Sequence, residues 1–214
     1  MKPQLTWGPG IYQGLCGTGL SFCGAPGCQL SFGPACDGNR VPAGKDTSGV
    51  PRPLFGNVPY GVSISHCSVP GKVALTFDDG PYIYTGDLLD LLKKNNIRAT
   101  FFVVGTNGGK GQIQDKTTGF PALLQRMYSD GHQIGSHTWS HEDLSAITAQ
   151  QRRDQIIRNE IALVSILGFF PTYLRPPYTR WTPQALEELK QLGYHVVREA
   201  ATGVKADDSL IPSY

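Results

Sequence analysis

The sequence predicts an α/β fold: a mostly parallel sheet or distorted (β/α) barrel, incomplete at its carboxyl end and preceded by a small cysteine-rich segment. Three observations predict it. From Val58 onward short apolar runs alternate with amphipathic stretches of helical period, the pattern of βαβ units that build a parallel sheet. Cys16, Cys23, Cys28 and Cys36 crowd into 21 glycine-rich positions, as in small extracellular modules stabilised by cross-links rather than by a core. Residues 58–214 number 157, whereas a (β/α) barrel commonly needs about 200 or more.

Taken in order, residues 1–36 form the cysteine-rich segment, and 37–57, with Pro42, Pro51 and Pro53 among small polar residues, read as a linker. Residues 58–214 form the α/β domain. Within it, Lys72 to Phe77 is a β-branched, apolar run suited to a buried parallel strand. Helical period marks 86–95, about 121–130, about 148–167 and 183–192; strands are expected at 99–104, 132–135, 172–174 and 195–197.

Charge and hydropathy exclude several classes. A formal charge of +2 without a basic cluster argues against nucleic acid and against an anionic membrane surface. No apolar run is long enough to span a bilayer, and the opening "MKPQLTWGPG" lacks the apolar stretch of a secretory signal. The absent export signal and the stapled cysteines point to different compartments. Paired C-x-x-C spacings, which a zinc ribbon would prefer, are absent.

Three short motifs carry chemistry. "TFDDGP" at 76–81 sets Asp78 and Asp79 where an apolar strand ends, the edge at which α/β folds gather ligands. Adjacent residues leaving a strand point to opposite sides, so the two carboxylates are suited to different jobs. "HTWSH" places His137 and His141 four apart after the strand at 132–135; on a helical turn both imidazoles would share a face and reach one ion. One Asp and two His make a good ligand set for a divalent ion with open positions, leaving the other Asp free as a base. "RPPY" at 175–178 follows a further strand. Each motif alone also has an ordinary reading: a solvated turn, two half-exposed histidines, a rigid loop with a surface arginine.

In this order the three motifs resemble those of the polysaccharide deacetylases, the NodB-homology family or carbohydrate esterase family four. "VPYG", "GHQIGSHTWSH", "ILGFFPTYLRPPY" and "LGYHV" are similar to fungal chitin deacetylases in particular. The resemblance covers about Val58 to Tyr194 and implies a NodB-like barrel. It further implies Asp78 as catalytic base and Asp79, His137 and His141 as ligands of a divalent metal, zinc foremost, with cobalt or manganese as alternatives. Arg175 would orient the base, and the Tyr178 backbone N–H would stabilise an oxyanion. The implied reaction is removal of N-acetyl groups from chitin or a related N-acetylglucosamine polymer, in a secreted or cell-wall setting. Peptidoglycan deacetylase, acetylxylan esterase and a non-catalytic carbohydrate-binding relative are the alternatives.

"GLCGTGLSFCGAPGCQLSFGPAC" is similar to the carboxyl half of a hevein-type chitin-binding module. That resemblance implies a Cys28–Cys36 disulfide and leaves Cys16 and Cys23 to pair with each other or stay reactive. Gln13 and Leu15 stand where the module's sugar-stacking aromatics are expected, so only Phe22 remains of them. Cys67 occupies a position that in the fungal enzymes bonds a cysteine near the far end. The family's late motifs, an Asp-containing segment and an L-x-H whose histidine protonates the leaving amine, are not matched. His195 lies in "LGYH", and Asp207 and Asp208 read as solvated tail residues. The expectation is a weak catalyst with an intact metal site.

Overall fold

The computed structural model describes residues 10–198 apart from 13, 14, 33, 55, 68 and 108, with the backbone alone for 10–12, 15 and 16. The side chains of Gln13, Leu15 and Cys16, and Asp207 and Asp208, lie outside the described residues.

Strands β1 (Gly10–Tyr12) and β2 (Leu15–Gly17) form a small antiparallel pair, followed by the single turn α1 (Leu20–Cys23). The main body is a parallel six-stranded sheet that curls as a half-barrel. Its strands are β3 (Ser63–Ile64), β4 (Thr76–Asp78), β5 (Thr100–Val103), β6 (Gln133–Ser136), β7 (Tyr173–Leu174) and β8 (His195–Val197). Their order is β3-β8-β7-β6-β5-β4, so among the described residues β3 and β4 are edges. Helices α2 (Thr85–Lys94), α3 (Phe120–Ser129), α4 (Ala149–Leu167) and α5 (Pro183–Gln191) complete the chain order. None of the described helices is long and apolar enough to cross a membrane.

Local chemistry explains the helix ends. Thr148 and Gln151 close a capping box at the start of α4, and Gly168, at φ 82°, ends it in the left-handed conformation that a side chain would oppose. Thr182 accepts the Ala185 N–H at the head of α5, where Pro183 supplies a pre-set φ. Leu89 and Leu92 of α2, Leu124 and Met127 of α3, and Ala162 and Leu163 of α4 pack with Phe101, Val103 and Ile134 from the centre of the sheet. A second cluster joins Ile156, Leu174, Leu189, Tyr194 and Val196.

Two expectations change. The run before the aspartates is not a buried strand. β4 is a three-residue edge strand, half-exposed throughout, with Val73 68% exposed beside it. The proline-rich stretch 37–57 is held against the domain at several points. Thr47 Oγ1 donates to Glu160 Oε2 at 2.5 Å, and Arg52 NH2 meets both Glu160 oxygens at 2.9 and 2.8 Å. Tyr194 OH donates to Glu160 Oε1 at 2.5 Å, so one buried carboxylate joins this stretch, α4 and the approach to β8.

His132, at the head of β6, accepts the Ala99 N–H on Nδ1 at 3.1 Å, which requires a neutral ring. Burial holds its pKa below 6.5. Above that value the ring is neutral in both folded and unfolded chains and contributes no pH dependence. As pH falls below 6.5 the unfolded chain takes the proton first, so stability drops until the folded-state pKa is reached, by at most about 1.4 kcal/mol per pH unit. In His132→Asn the amide oxygen can accept the same N–H without titrating. Urea unfolding from pH 7.5 to 5 is therefore expected to show a steeper acid decline in the wild type than in this variant; parallel profiles would contradict the assignment.

Candidate metal centre and active site

All six site residues inferred from the three motifs meet at the carboxyl ends of β4, β6 and β7. Asp78 is the last residue of β4, and Asp79 turns away from it at φ 67°. His137 follows β6, and its N–H donates to Val103 O at 2.8 Å, extending the line of the sheet. The N–H groups of Gly105 and Thr106 then donate to the carbonyls of Thr138 and Trp139. The two histidines therefore do not share a helical turn, as the four-residue spacing suggests. Thr138 at φ 70° and His141 at φ 58° fold an irregular loop that swings His141 back toward His137. Six non-glycine residues among those described adopt positive φ, and five of them are Asp79, Thr138, His141, Tyr178 and Thr179. Strain of this kind persists only where the surroundings over-determine it.

Three ligand atoms converge. Asp79 Oδ1 lies 3.1 Å from His141 Nε2 and 3.5 Å from His137 Nε2, and one ligand atom from each residue falls within 4.8 Å of the others. His137 Nδ1 is 2.7 Å from the Arg175 carbonyl, which can only accept. The proton is therefore on Nδ1 and the Nε2 lone pair faces the cluster, the orientation that a ligating imidazole requires. Burial pushes the His137 pKa down to about 4, so the ring is neutral at neutral pH. This donor set fits a divalent ion, with nitrogen and oxygen ligands on one side and open space on the other.

The two aspartates differ electrostatically. Arg175 NH1 donates to Asp78 Oδ1 at 2.8 Å and to Thr76 Oγ1 at 2.9 Å, while its guanidinium lies over the Phe102 ring, 4.2 Å from the centroid. Asp78 Oδ2 is left facing the ligand cluster, 4.0 Å from His137 Nε2. Burial raises the Asp78 pKa against the pull of Arg175, whereas hydrogen bonding with His141 lowers that of Asp79. Adjacent carboxyls pushed in opposite directions are suited to different roles. Tyr178, at φ 58°, sets its ring edge-on to His141 at 4.6 Å, and its backbone N–H has no acceptor among the described residues.

Several supporting residues are not evident from sequence. Lys110 donates to the carbonyls of Asp79, Val104 and Gly80 at 2.8, 3.1 and 3.3 Å, tying the aspartate turn to the end of β5; burial pushes its pKa down to about 7. Its only sequence signal is a lone cation in the glycine-rich "GTNGGKG". Gln155 receives the Ser140 N–H at 2.7 Å, and Asn159 donates to Val103 O and Ser136 Oγ. Both are buried polar residues within an amphipathic helix, the one pattern that could have marked them.

His195 does not join the site. It opens β8 beside Tyr173, at the amino ends of the strands, with its ring between those of Tyr60 and Tyr173 and its Nδ1 on Pro59 O. It is fully buried and cannot hand a proton to the opposite edge of the sheet. In the amino-terminal segment Cys28 and Cys36 are disulfide-bonded, Cys23 is a buried thiol, and the Phe22 ring packs over Gly17.

Comparison with known proteins gives a consistent result. The polysaccharide deacetylase family profile matches residues 66–197. A chitin deacetylase of Pestalotiopsis sp is 51% identical over 141 residues, 66% of this chain and 45% of the relative. A peptidoglycan-N-acetylglucosamine deacetylase of Bacillus cereus is 37% identical over 142 residues, 64% of this chain and 48% of the relative. The solved chitin deacetylase of Colletotrichum lindemuthianum superposes with a TM-score of 0.62 at 44% identity, covering 65% of this chain and 60% of that one. The chain spans about half the length of the curated relatives it matches.

Proposed function

Because this chain belongs to the polysaccharide deacetylase family, we propose that it is a metal-dependent hydrolase that removes N-acetyl groups from N-acetylglucosamine polymers, chitin foremost. The observation that carries this reading is the division of labour at Asp78, with Oδ1 held by Arg175 and Oδ2 turned toward the Asp79, His137 and His141 cluster.

In this reading Asp79, His137 and His141 hold a divalent ion, zinc in our assignment, with cobalt and manganese next. When bound, the ion supplies Lewis acidity, which acidifies a water molecule and polarises the acyl carbonyl. Asp78 takes the proton of the attacking water at Oδ2, and its anionic form is stabilised by the Arg175 guanidinium on the other oxygen. Arg175 is held in turn by Thr76 and the Phe102 face, so the base approaches from a fixed direction. The free Tyr178 N–H is a fixed donor for the developing oxyanion. Beside the aspartates a cleft of about 480 Å³, walled in part by Phe77, Tyr82, Tyr84 and Leu88, offers aromatic and apolar surface to a sugar ring.

Chitin is favoured over peptidoglycan and acetylated xylan by the relative at 51% identity and by the hevein-like cysteine segment. The Cys28–Cys36 disulfide suits an oxidising, extracellular or cell-wall location. Incubation with N-acetylglucosamine oligomers, peptidoglycan fragments and acetylated xylan, with free acetate as the readout, tests the proposal. Acetate release that is fastest from the oligomers and is stopped by a chelator is the expected result. Binding of metal and oligomers without acetate would replace it with the reading of a non-catalytic carbohydrate-binding relative.

A further inference from the structure

The cysteine-stapled segment touches the metal site from behind. Cys36 leads directly into a 3₁₀ turn, Asp37–Asn39, whose entry is fixed by the Cys28–Cys36 disulfide and by Ala25 N–H donating to Asp37 Oδ1 at 2.7 Å. At the middle of this turn the Gly38 backbone lies against Ser140, the residue immediately before His141. A Cβ added at Gly38 would stand 2.7 Å from both Ser140 Oγ and Leu30 Cδ2, closer than real side chains essentially ever come, and 3.3 Å from Ser140 Cβ. Arg158 of α4 donates to Gly38 O at 2.7 Å and presses the turn into place. From the other side Gln155 grips Ser140 at two points, its amide oxygen on the backbone N–H and its Nε2 on Oγ, both at 2.7 Å. Leu20, on the first turn of the same segment, reaches Gly109, next to the lysine that holds the aspartate turn.

We infer that the segment 20–39 is a positioning element of the metal centre: its stapled turn clamps Ser140 against Gln155 and so sets His141 at its distance from Asp79. The loop needs such a clamp. Thr138 and His141 both occupy the left-handed region, which is unfavourable for a residue with a side chain and persists only where the surroundings enforce it. A helix would have fixed the histidine spacing by its own hydrogen bonds, but this loop depends on what packs against it. Gly38 is the residue at which a side chain is excluded, and its partner lies 102 positions along the chain. The inference rests on the metal centre proposed above.

Co²⁺ uptake by the full chain tests it, because the visible d–d absorption reports ligand geometry as well as affinity. Gly38→Ala is expected to weaken Co²⁺ binding about tenfold and to shift the bands. Adding Ser140→Gly removes the Ser140 atoms from the path of the new methyl, and Leu30 Cδ2, also 2.7 Å from it, is the end of a flexible side chain that can turn aside; the double variant is therefore expected to regain most of the affinity and to bind more tightly than the two single losses combined would allow. A purely structural role would lower the unfolding temperature of the metal-free protein and leave the folded protein's affinity and spectrum unchanged. That result, or additive losses in the double variant, overturns the inference. Should Gly38→Ala fail to fold, Arg158→Ala releases the Gly38 carbonyl without adding bulk and is expected to weaken Co²⁺ binding several-fold; wild-type affinity in that variant overturns the inference equally. A wild-type protein that takes up no Co²⁺ overturns the metal centre itself, and this inference with it.

Discussion

Asp78→Asn is expected to cut acetate release by about 10²- to 10⁴-fold, the range for loss of a positioned general base, or roughly 3–5 kcal/mol of barrier. The substitution keeps the side chain's shape and an oxygen for Arg175 NH1 to donate to, so the fold and the ligand cluster are expected to persist. Zinc is accordingly expected still to raise the unfolding temperature, since a ligand bound only by the native state stabilises it by about 2.7 kcal/mol at a hundredfold excess over its dissociation constant. His137→Ala is expected to lose both properties, because it removes one of three converging ligand atoms and the link to the Arg175 carbonyl. The pair separates base from ligand. Asp78→Asn turning over at the wild-type rate, or an undiminished zinc response in His137→Ala, would reverse the assignment of the two carboxyl roles or dissolve the site.

Glu160→Leu is expected to destabilise the fold by about 3–5 kcal/mol, the cost of leaving one member of a buried ion pair alone. The side chains of Arg52 and Glu160 are 6% and 1% exposed, so neither can recover its hydration in place. The guanidinium cannot shed its charge to adapt, whereas a carboxyl can, and burial already raises the Glu160 pKa against the hydrogen bonds from Thr47, Tyr194 and Arg52. Removal of the acid should therefore be worse than removal of the base. The double variant Arg52→Met with Glu160→Leu should recover much of the loss, since no orphaned charge remains. Urea unfolding of the three variants measures this order. A loss under about 1 kcal/mol for Glu160→Leu would mean that the stretch 37–57 contributes little to the domain.

How far the sequence reads correctly follows from how local each cause is. The helices were legible within a residue or two because their signals lie within a few positions: the Thr148 and Gln151 capping box, Gly168 after the last turn, and Pro183 behind Thr182. β6, Gln133–Ser136, was legible to within a residue although Ile134 is its one large apolar residue; the strand at 195–197 was legible in full, and β5 nearly so, because a strand buried within the sheet is written largely as an apolar run. The run before Asp78 has the same composition and yet forms a short edge strand. An edge position depends on which strands pair, and no single segment encodes that.

The site divides in the same way. The chemical types of Asp78, Asp79, His137, His141 and Arg175, and their places at the carboxyl ends of strands, were determined by the sequence alone, since parallel strands deliver those ends to one edge of a sheet. Only the tertiary structure decided how they act together. The histidines converge through left-handed backbone at Thr138 and His141, against the helical turn that their spacing suggests. Lys110 and Gly38 support the site through contacts whose partners lie 31 and 102 positions away, and Arg52 finds Glu160 across 108. His195 has the right chemistry for proton transfer but stands at the wrong end of its strand. Short-range hydrogen bonding and hydrophobic period are properties of a segment and can be read from it; a buried charge or a close backbone approach is defined by what the rest of the chain places beside it.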